Sequence, residues 1–124
     1  MKYLIVDDSK LALMLLEREL RKFVDVQDEI IQALDGLEAL KLYKEHNPVV
    51  CFTDLTMPCL NGLELTKQIV EYDKDAFVVV LSADPQKSIE QKAAKNGALM
   101  FSNKPIPKQM IENIVKIAKR KDKR

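Results

Sequence analysis

This sequence predicts an α/β fold built on a parallel sheet with helices on both of its faces. Three observations support that class. Short apolar, β-rich runs alternate with longer segments of helical period along the chain. The runs are nearly continuous in apolar residues, as strands buried on both sides are. Asn, Gly, Pro and Ser punctuate the points where one kind of segment passes into the other. With 124 residues, 47% of them hydrophobic, the chain is expected to form a single domain over residues 1–124 with no output domain attached.

The elements follow in order. The first strand is expected at KYLIV, residues 2–6, and the first helix over 9–22 with Ser9 as its N-cap. The second strand is EIIQA (29–33), and its helix (36–46) is stopped by Asn47-Pro48. The third strand is VVCFT (49–53), followed by a helix over 62–72 that Asn61-Gly62 opens. The fourth is FVVVLS (77–82), with a helix over 86–95 that Asn96-Gly97 ends. The fifth is ALMFS (98–102), with a last helix over 107–121. In that helix Ile111, Ile114, Val115 and Ala118 recur at i, i+3, i+4 and i+7, so one face packs on the sheet. The terminal KRKDKR reads as a solvated, frayed end rather than a nucleic-acid arm.

Helix one poses a separate question. Leu11, Ala12, Leu13, Met14, Leu15 and Leu16 are consecutive, and at ~100° per residue six positions cover the whole circumference of a helix, so they cannot all face the sheet. Ala12, Leu16, Leu20 and Phe23 follow core spacing, which leaves Leu13 and Met14 as the expected exposed pair and a candidate docking ridge for a helical partner.

Charge narrows the function. Lys and Arg number 20 against 19 Asp and Glu, and a net charge of +1 supplies no general field for nucleic acid or an anionic membrane. No apolar run approaches the ~20 residues that span a bilayer, and no signal peptide precedes the first strand pattern, so a cytoplasmic location is expected. Cys51 reads as strand core and Cys59 as a loop thiol, and the single His46 cannot build a His-based metal site.

Chemistry should gather at the carboxyl ends of the strands, where ligands of open parallel sheets bind. There the sequence places Asp7-Asp8 after strand one, Asp54 after strand three, Ser82 after strand four and Asn103-Lys104-Pro105 after strand five. Three carboxylates in one pocket need cations to stay ionised, and Lys104 with a divalent ion would supply them. Oxygen donors without His or Cys suit Mg²⁺, which takes one or two carboxylates plus a phosphate and keeps several waters. A carboxylate at that rim can also attack phosphorus and form an acyl phosphate. Lys104, the Ser82 hydroxyl and loop N–H groups would then neutralise the equatorial oxygens.

These residues carry a resemblance. The VDD near the start, the run Asp54-Leu55-Thr56-Met57-Pro58-Cys59-Leu60-Asn61-Gly62 of pattern D-x-x-M-P-x-x-x-G, then VVVLSA and S-N-K-P closely resemble the receiver domain of bacterial response regulators, over essentially the whole chain. The resemblance implies a flavodoxin-like (βα)5 fold with a five-stranded sheet of order 2-1-3-4-5. It implies Asp54 as phosphoacceptor, with Asp8, Asp54 and the carbonyl of Thr56 as Mg²⁺ ligands and Asp7 acting mostly through water and by placing Asp8. Ser82 and Lys104 would grip the phosphoryl oxygens, Ser82 and Phe101 would form the switch pair, and Thr56 and Asp84 would tune the phosphoryl lifetime. Lys104-Pro105 is implied as a cis peptide, which X-Pro bonds tolerate. Two departures accompany this: Ser82 stands where Thr is also common, and Phe101 where Tyr is common, so no tyrosine hydroxyl reaches a partner.

The implied function is a monomeric phosphorylation-controlled switch rather than an enzyme. It would take its phosphoryl group from a histidine kinase or histidine phosphotransfer protein, signal by contact with a target such as the flagellar motor switch, and meet a phosphatase. A phosphorelay intermediate is the alternative. A haloacid-dehalogenase-like phosphatase would need a second acid two residues after the nucleophile, where this chain has Thr56. A flavodoxin-like nucleotide or flavin carrier would need a Gly-, Ser- or Thr-rich phosphate loop after strand one, where this chain has DDSKL.

Overall fold

The computed structural model describes residues 1–122. Strands and helices alternate through β1 (Lys2–Val6), α1 (Lys10–Arg21), β2 (Glu29–Ala33), α2 (Gly36–His46), β3 (Val50–Asp54), α3 (Gly62–Tyr72), β4 (Val78–Ser82), α4 (Lys87–Lys95), β5 (Met100–Asn103) and α5 (Lys108–Asp122). The strands form one parallel sheet of order β2-β1-β3-β4-β5. This is the flavodoxin-like arrangement expected from the sequence.

The period-two geometry of strands sorts the core into two layers. Tyr3, Ile5, Phe52, Val79 and Leu81 point to one side, where they meet Leu13 and Leu20 of α1 and Ile111, Ile114, Val115 and Ala118 of α5. Leu4, Val6, Cys51, Val78 and Val80 point to the other, against Ala39 and Tyr43 of α2, Leu65 and Ile69 of α3 and Ala93 of α4. The central strands are therefore apolar at nearly every position, and the exposed polar strand residues fall on the two edges, Glu29 and Gln32 on β2 and Asn103 at the end of β5.

Capping explains the helix boundaries. Ser9 accepts from the Ala12 N–H at 3.2 Å, and Asn61 from the Glu64 N–H at 2.9 Å. Asp35 accepts from the Glu38 N–H, while the Glu38 carboxylate accepts from the Leu34 N–H, each at 2.8 Å. This reciprocal pairing satisfies two backbone donors at the start of α2. Asn47 closes α2 in the left-handed region, and Gly97 follows α4 at φ +105°. Residues Lys119–Asp122 are the last turn of α5 rather than a frayed tail; Lys119 lies 3.4 Å from Asp25 and the Lys121 ammonium sits over the Phe77 ring. Lys123 and Arg124 of the basic run lie outside the described residues. Among the described residues no helix is long and apolar enough to cross a membrane.

Helix one corrects the sequence reading. Leu13 is buried, 1% exposed, and Ala12 is only half-buried; the exposed apolar residues are Leu11, Met14 and Leu15. Leu13 lies two turns before Leu20, so both share the face that meets α5, and Leu16 and Phe23 flank it. The inward stripe runs through Leu13, seven residues before Leu20, rather than through Ala12, eight before it. Leu13→Ala is expected to cost about 2–5 kcal/mol, as cavity-forming core changes do. Met14→Ala should stay within roughly 0.5 kcal/mol. Paired urea denaturation curves distinguish the two.

Candidate functional site

In this strand order the chain leaves β1 towards β2 on one side and returns to β3 on the other, so the loops after β1 and β3 part and open a crevice at the carboxyl edge. Asp7 and Asp8 leave β1 on one side of it and Asp54 ends β3 on the other. Carboxylate oxygens of the three lie within 4.8 Å of one another. Asp7 is buried, Asp54 half-buried and Asp8 exposed. Ser82 ends β4, buried, and Lys104 follows β5, tied back by its N–H to the Ser82 carbonyl at 3.0 Å. The Lys104-Pro105 peptide is cis.

Local hydrogen bonds aim these groups. The Ser9 N–H donates to Asp7 Oδ1 at 2.9 Å, fixing one carboxylate oxygen, while the other pairs with the Lys104 ammonium. Lys104 Nζ also lies 3.4 Å from Asp54 Oδ1, so one cation bridges the acids of β1 and β3. Burial, and then the neighbouring Asp7 carboxylate, push Asp54 above the ordinary carboxylate range, and Lys104 only partly offsets them. Burial alone would lower the Lys104 ammonium, yet its bonds to Asp7 and Asp54 raise it overall.

The donor set fits Mg²⁺. It is all oxygen, and an octahedral ion with ligands at about 2.0–2.1 Å needs oxygens roughly 3–4 Å apart, within the spread of the three acids. A single ammonium is shared between Asp7 and Asp54, and among the described residues no ion pair reaches Asp8. The charge that Asp54 lacks is the charge a divalent ion supplies.

The sign of that imbalance is testable. A carboxyl group whose folded pKa is raised favours the fold while protonated and opposes it once pH rises through the unfolded and then the folded pKa. Asp54→Asn is therefore expected to raise Tm at neutral pH by roughly 2–5 °C without metal, with the gain fading in acid. Mg²⁺ should raise Tm of the wild-type chain more than that of the variant. Calorimetry in chelator and in Mg²⁺ measures both.

Beside the acids a cleft of about 410 Å³ opens, lined by Asp54, Leu55, Thr56, Ser82, Ala83, Asp84, Gln86, Ile89 and Lys104. The structure thus brings Asp7, Asp8, Asp54, Thr56, Ser82, Asp84 and Lys104 to one edge of the sheet. Phe101 stands apart, half-buried against the α2–α4 layer and paired across the sheet with Val80 rather than with Ser82. Met14 is exposed on α1, which begins just after Asp8. Gln86 and Ile89 were not expected at the cleft; nothing in their types marks them, and only the entry of α4 over β4 brings them there.

The loop from Asp54 to Gly62 is held by close backbone approach. The Leu55 N–H donates to the Leu81 carbonyl at 2.9 Å, and the Gly62 N–H returns to the Leu55 carbonyl at 2.8 Å. A Cβ on Gly62 would stand 2.3 Å from the Asp54 carbonyl oxygen, and one on Gly36 only 2.1 Å from that of Leu60. Both glycines serve by lacking a side chain, since neither has positive φ.

Comparison with known proteins places this geometry. The response regulator receiver domain model matches residues 3–116. A chemotaxis protein CheY of Thermotoga maritima is 36% identical over 120 residues, covering 95% of this chain and 98% of that protein. Among solved structures, the CheX–CheY–BeF3–Mg complex of Borrelia burgdorferi gives a TM-score of 0.79 at 30% identity, covering 93% of this chain and 86% of that one. A co-crystal of the Saccharomyces cerevisiae histidine phosphotransfer protein Ypd1 with the receiver domain of Ssk1 gives 0.81 at 26% identity, with the same two coverages, 93% and 86%.

Proposed function

Because this chain belongs to the response regulator receiver domain family, and is a phosphorylation-controlled switch of two-component signalling, we propose that Asp54 is its phosphoacceptor and that the unit acts as a single receiver domain. The observation that carries the assignment is the convergence of Asp7, Asp8 and Asp54, bridged by Lys104, on a cleft that Ser82 also lines. Asp54 has an open approach from that cleft, and its oxygens lie beside the only ammonium in the cleft lining.

Asp8, Asp54 and the Thr56 carbonyl would hold Mg²⁺, with Asp7 placing Asp8. When bound, the ion supplies positive charge to the attacking carboxylate and to the phosphoryl oxygens. The chain's own groups do the rest. Lys104 neutralises an equatorial oxygen, and the Ser82 hydroxyl, which accepts from the Asp84 N–H at 3.2 Å, keeps its own hydrogen free to donate to another. The Asp54 carboxylate attacks phosphorus, a P–O bond forms, and the bond to the leaving group of the donor breaks with its electron pair.

Ser82 turning to the phosphoryl group and Phe101 filling the space behind it would shift a two-state equilibrium on the face of α4, β5 and α5, read by a target protein. The donor is a histidine kinase or a histidine phosphotransfer protein of the kind seen with Ssk1, and a phosphatase would end the signal. The likeness to chemotaxis CheY proteins favours motor control as output over a relay intermediate. All of this is cytoplasmic chemistry carried out by a monomer that turns over no other substrate.

The exposed α1 stripe of Leu11, Met14 and Leu15 suits packing against a helical donor beside Asp8. Phosphotransfer from the cognate phosphohistidine protein is expected to label the wild type and not Asp54→Asn. Met14→Glu should slow that transfer by roughly tenfold while leaving labelling by a small acyl phosphate nearly unchanged. Radiolabel transfer on a quenched-flow time scale measures both.

A further inference from the structure

Three residues lining the cleft form a hydrogen-bonded chain, and the assigned chemistry uses neither the Asp84 carboxylate nor the Gln86 side chain in it. The Asp84 N–H donates to the Ser82 hydroxyl at 3.2 Å, and the Gln86 side-chain amide donates to the Asp84 carboxylate at 3.2 Å. All three line the cleft with Asp54 and Lys104. Gln86 occupies the N-cap position of α4, yet its side chain makes no capping bond. Its amide is spent on Asp84 instead, although capping one of the four free N–H groups at the start of α4 would stabilise the helix.

Resting on the assignment of Asp54 as phosphoacceptor, we propose that Gln86 is a positioning residue that lengthens the life of the acyl phosphate by holding the Asp84 carboxylate away from the attacking water. Hydrolysis breaks the bond between phosphorus and the Asp54 oxygen. The water oxygen bonds to phosphorus, the electron pair of the broken bond returns to the Asp54 carboxylate, and the water's protons leave with inorganic phosphate and solvent. That water reaches Asp54 from the cleft, whose wall includes Asp84. A free carboxylate there accepts a hydrogen bond from the water and orients its lone pair at phosphorus. With one oxygen already accepting from Gln86, Asp84 is turned toward the start of α4 and serves the water poorly. Burial plays no part, because Asp84 and Gln86 are both exposed; the restraint is geometric.

The test uses the full chain, labelled with acetyl phosphate and Mg²⁺, freed of donor, and followed for loss of phosphate. Gln86→Leu, which keeps the bulk and removes the donor, is expected to speed loss by about threefold to tenfold while the labelling rate stays within twofold. In the Asp84→Ala background the same Gln86→Leu change should have no effect. Equal acceleration in both backgrounds, or none in either, overturns the proposal while leaving Asp54 as phosphoacceptor. If the wild type takes no label at all, the assignment of Asp54 falls and this inference falls with it. Circular dichroism of α4-intact variants guards the reading: a Gln86→Leu chain that has lost helix and also gained hydrolysis in the Asp84→Ala background counts against it.

Discussion

Incubated with a small acyl phosphate and Mg²⁺, the protein is expected to gain one phosphoryl group, carried by Asp54. The effect should be close to all-or-none. Asp54→Ala removes the nucleophile, and no other carboxylate of the site has both the approach from the cleft and the contact with Lys104: the Asp7 oxygens are taken by Ser9 and Lys104. Chelation should abolish labelling as completely, because three clustered acids with one ammonium among them would otherwise face a dianionic donor. Lys104→Met should slow labelling by roughly 10²–10³, the usual loss when one oxyanion partner is removed from a site of this kind. Intact-mass spectrometry with peptide mapping after borohydride reduction of the acyl phosphate reads all three. Full labelling of Asp54→Ala, or labelling that ignores chelator, would remove Asp54 from its assigned role.

Gly62→Ala should have the second largest effect, and in the direction opposite to helix propensity. As the first residue of α3, position 62 would gain up to about 1 kcal/mol from Ala on intrinsic preference. The added Cβ, however, would lie 2.3 Å from the Asp54 carbonyl oxygen and 3.0 Å from Leu55 Cα, both backbone atoms that cannot swing aside. Overpacking of this kind costs about 1–3 kcal/mol net, and the strain falls on the peptide that carries the phosphoacceptor. Denaturation should therefore show lost stability, and labelling should slow by roughly tenfold or more from misplacement of the carboxylate. Gly36→Ala, whose Cβ would meet the Leu60 carbonyl at 2.1 Å, offers a comparison. It should cost similar stability but act on labelling only through the far side of the same loop.

The apolar runs of β1 and β3–β5, the caps at Ser9 and Asn61, and the buried stripe of α5 were legible in the sequence because each depends on residues within one segment. The chemical residues were legible for a related reason: in a parallel sheet the carboxyl end of every strand points to the same edge, so position along each strand predicts convergence without knowing a single distance. The face of α1 was not legible. Leu13 and Ala12 are neighbours in an apolar run that is uniform around the helix, and only the seat of α1 in the layer it shares with α5 decides that Leu13 goes in and Met14 stays out.

The sequence by itself thus determined the order of elements, the polar positions at the strand ends and the oxygen-only character of their carboxylate cluster. Tertiary structure alone decided that Lys104 bonds Asp7 as well as Asp54, and that Gly36 and Gly62 carry no Cβ because carbonyl oxygens from elsewhere in the chain lie where one would be. Periodicity fixes direction, whereas contact across tens of residues depends on how layers settle against each other, and that is set by the volumes of all the side chains between them together.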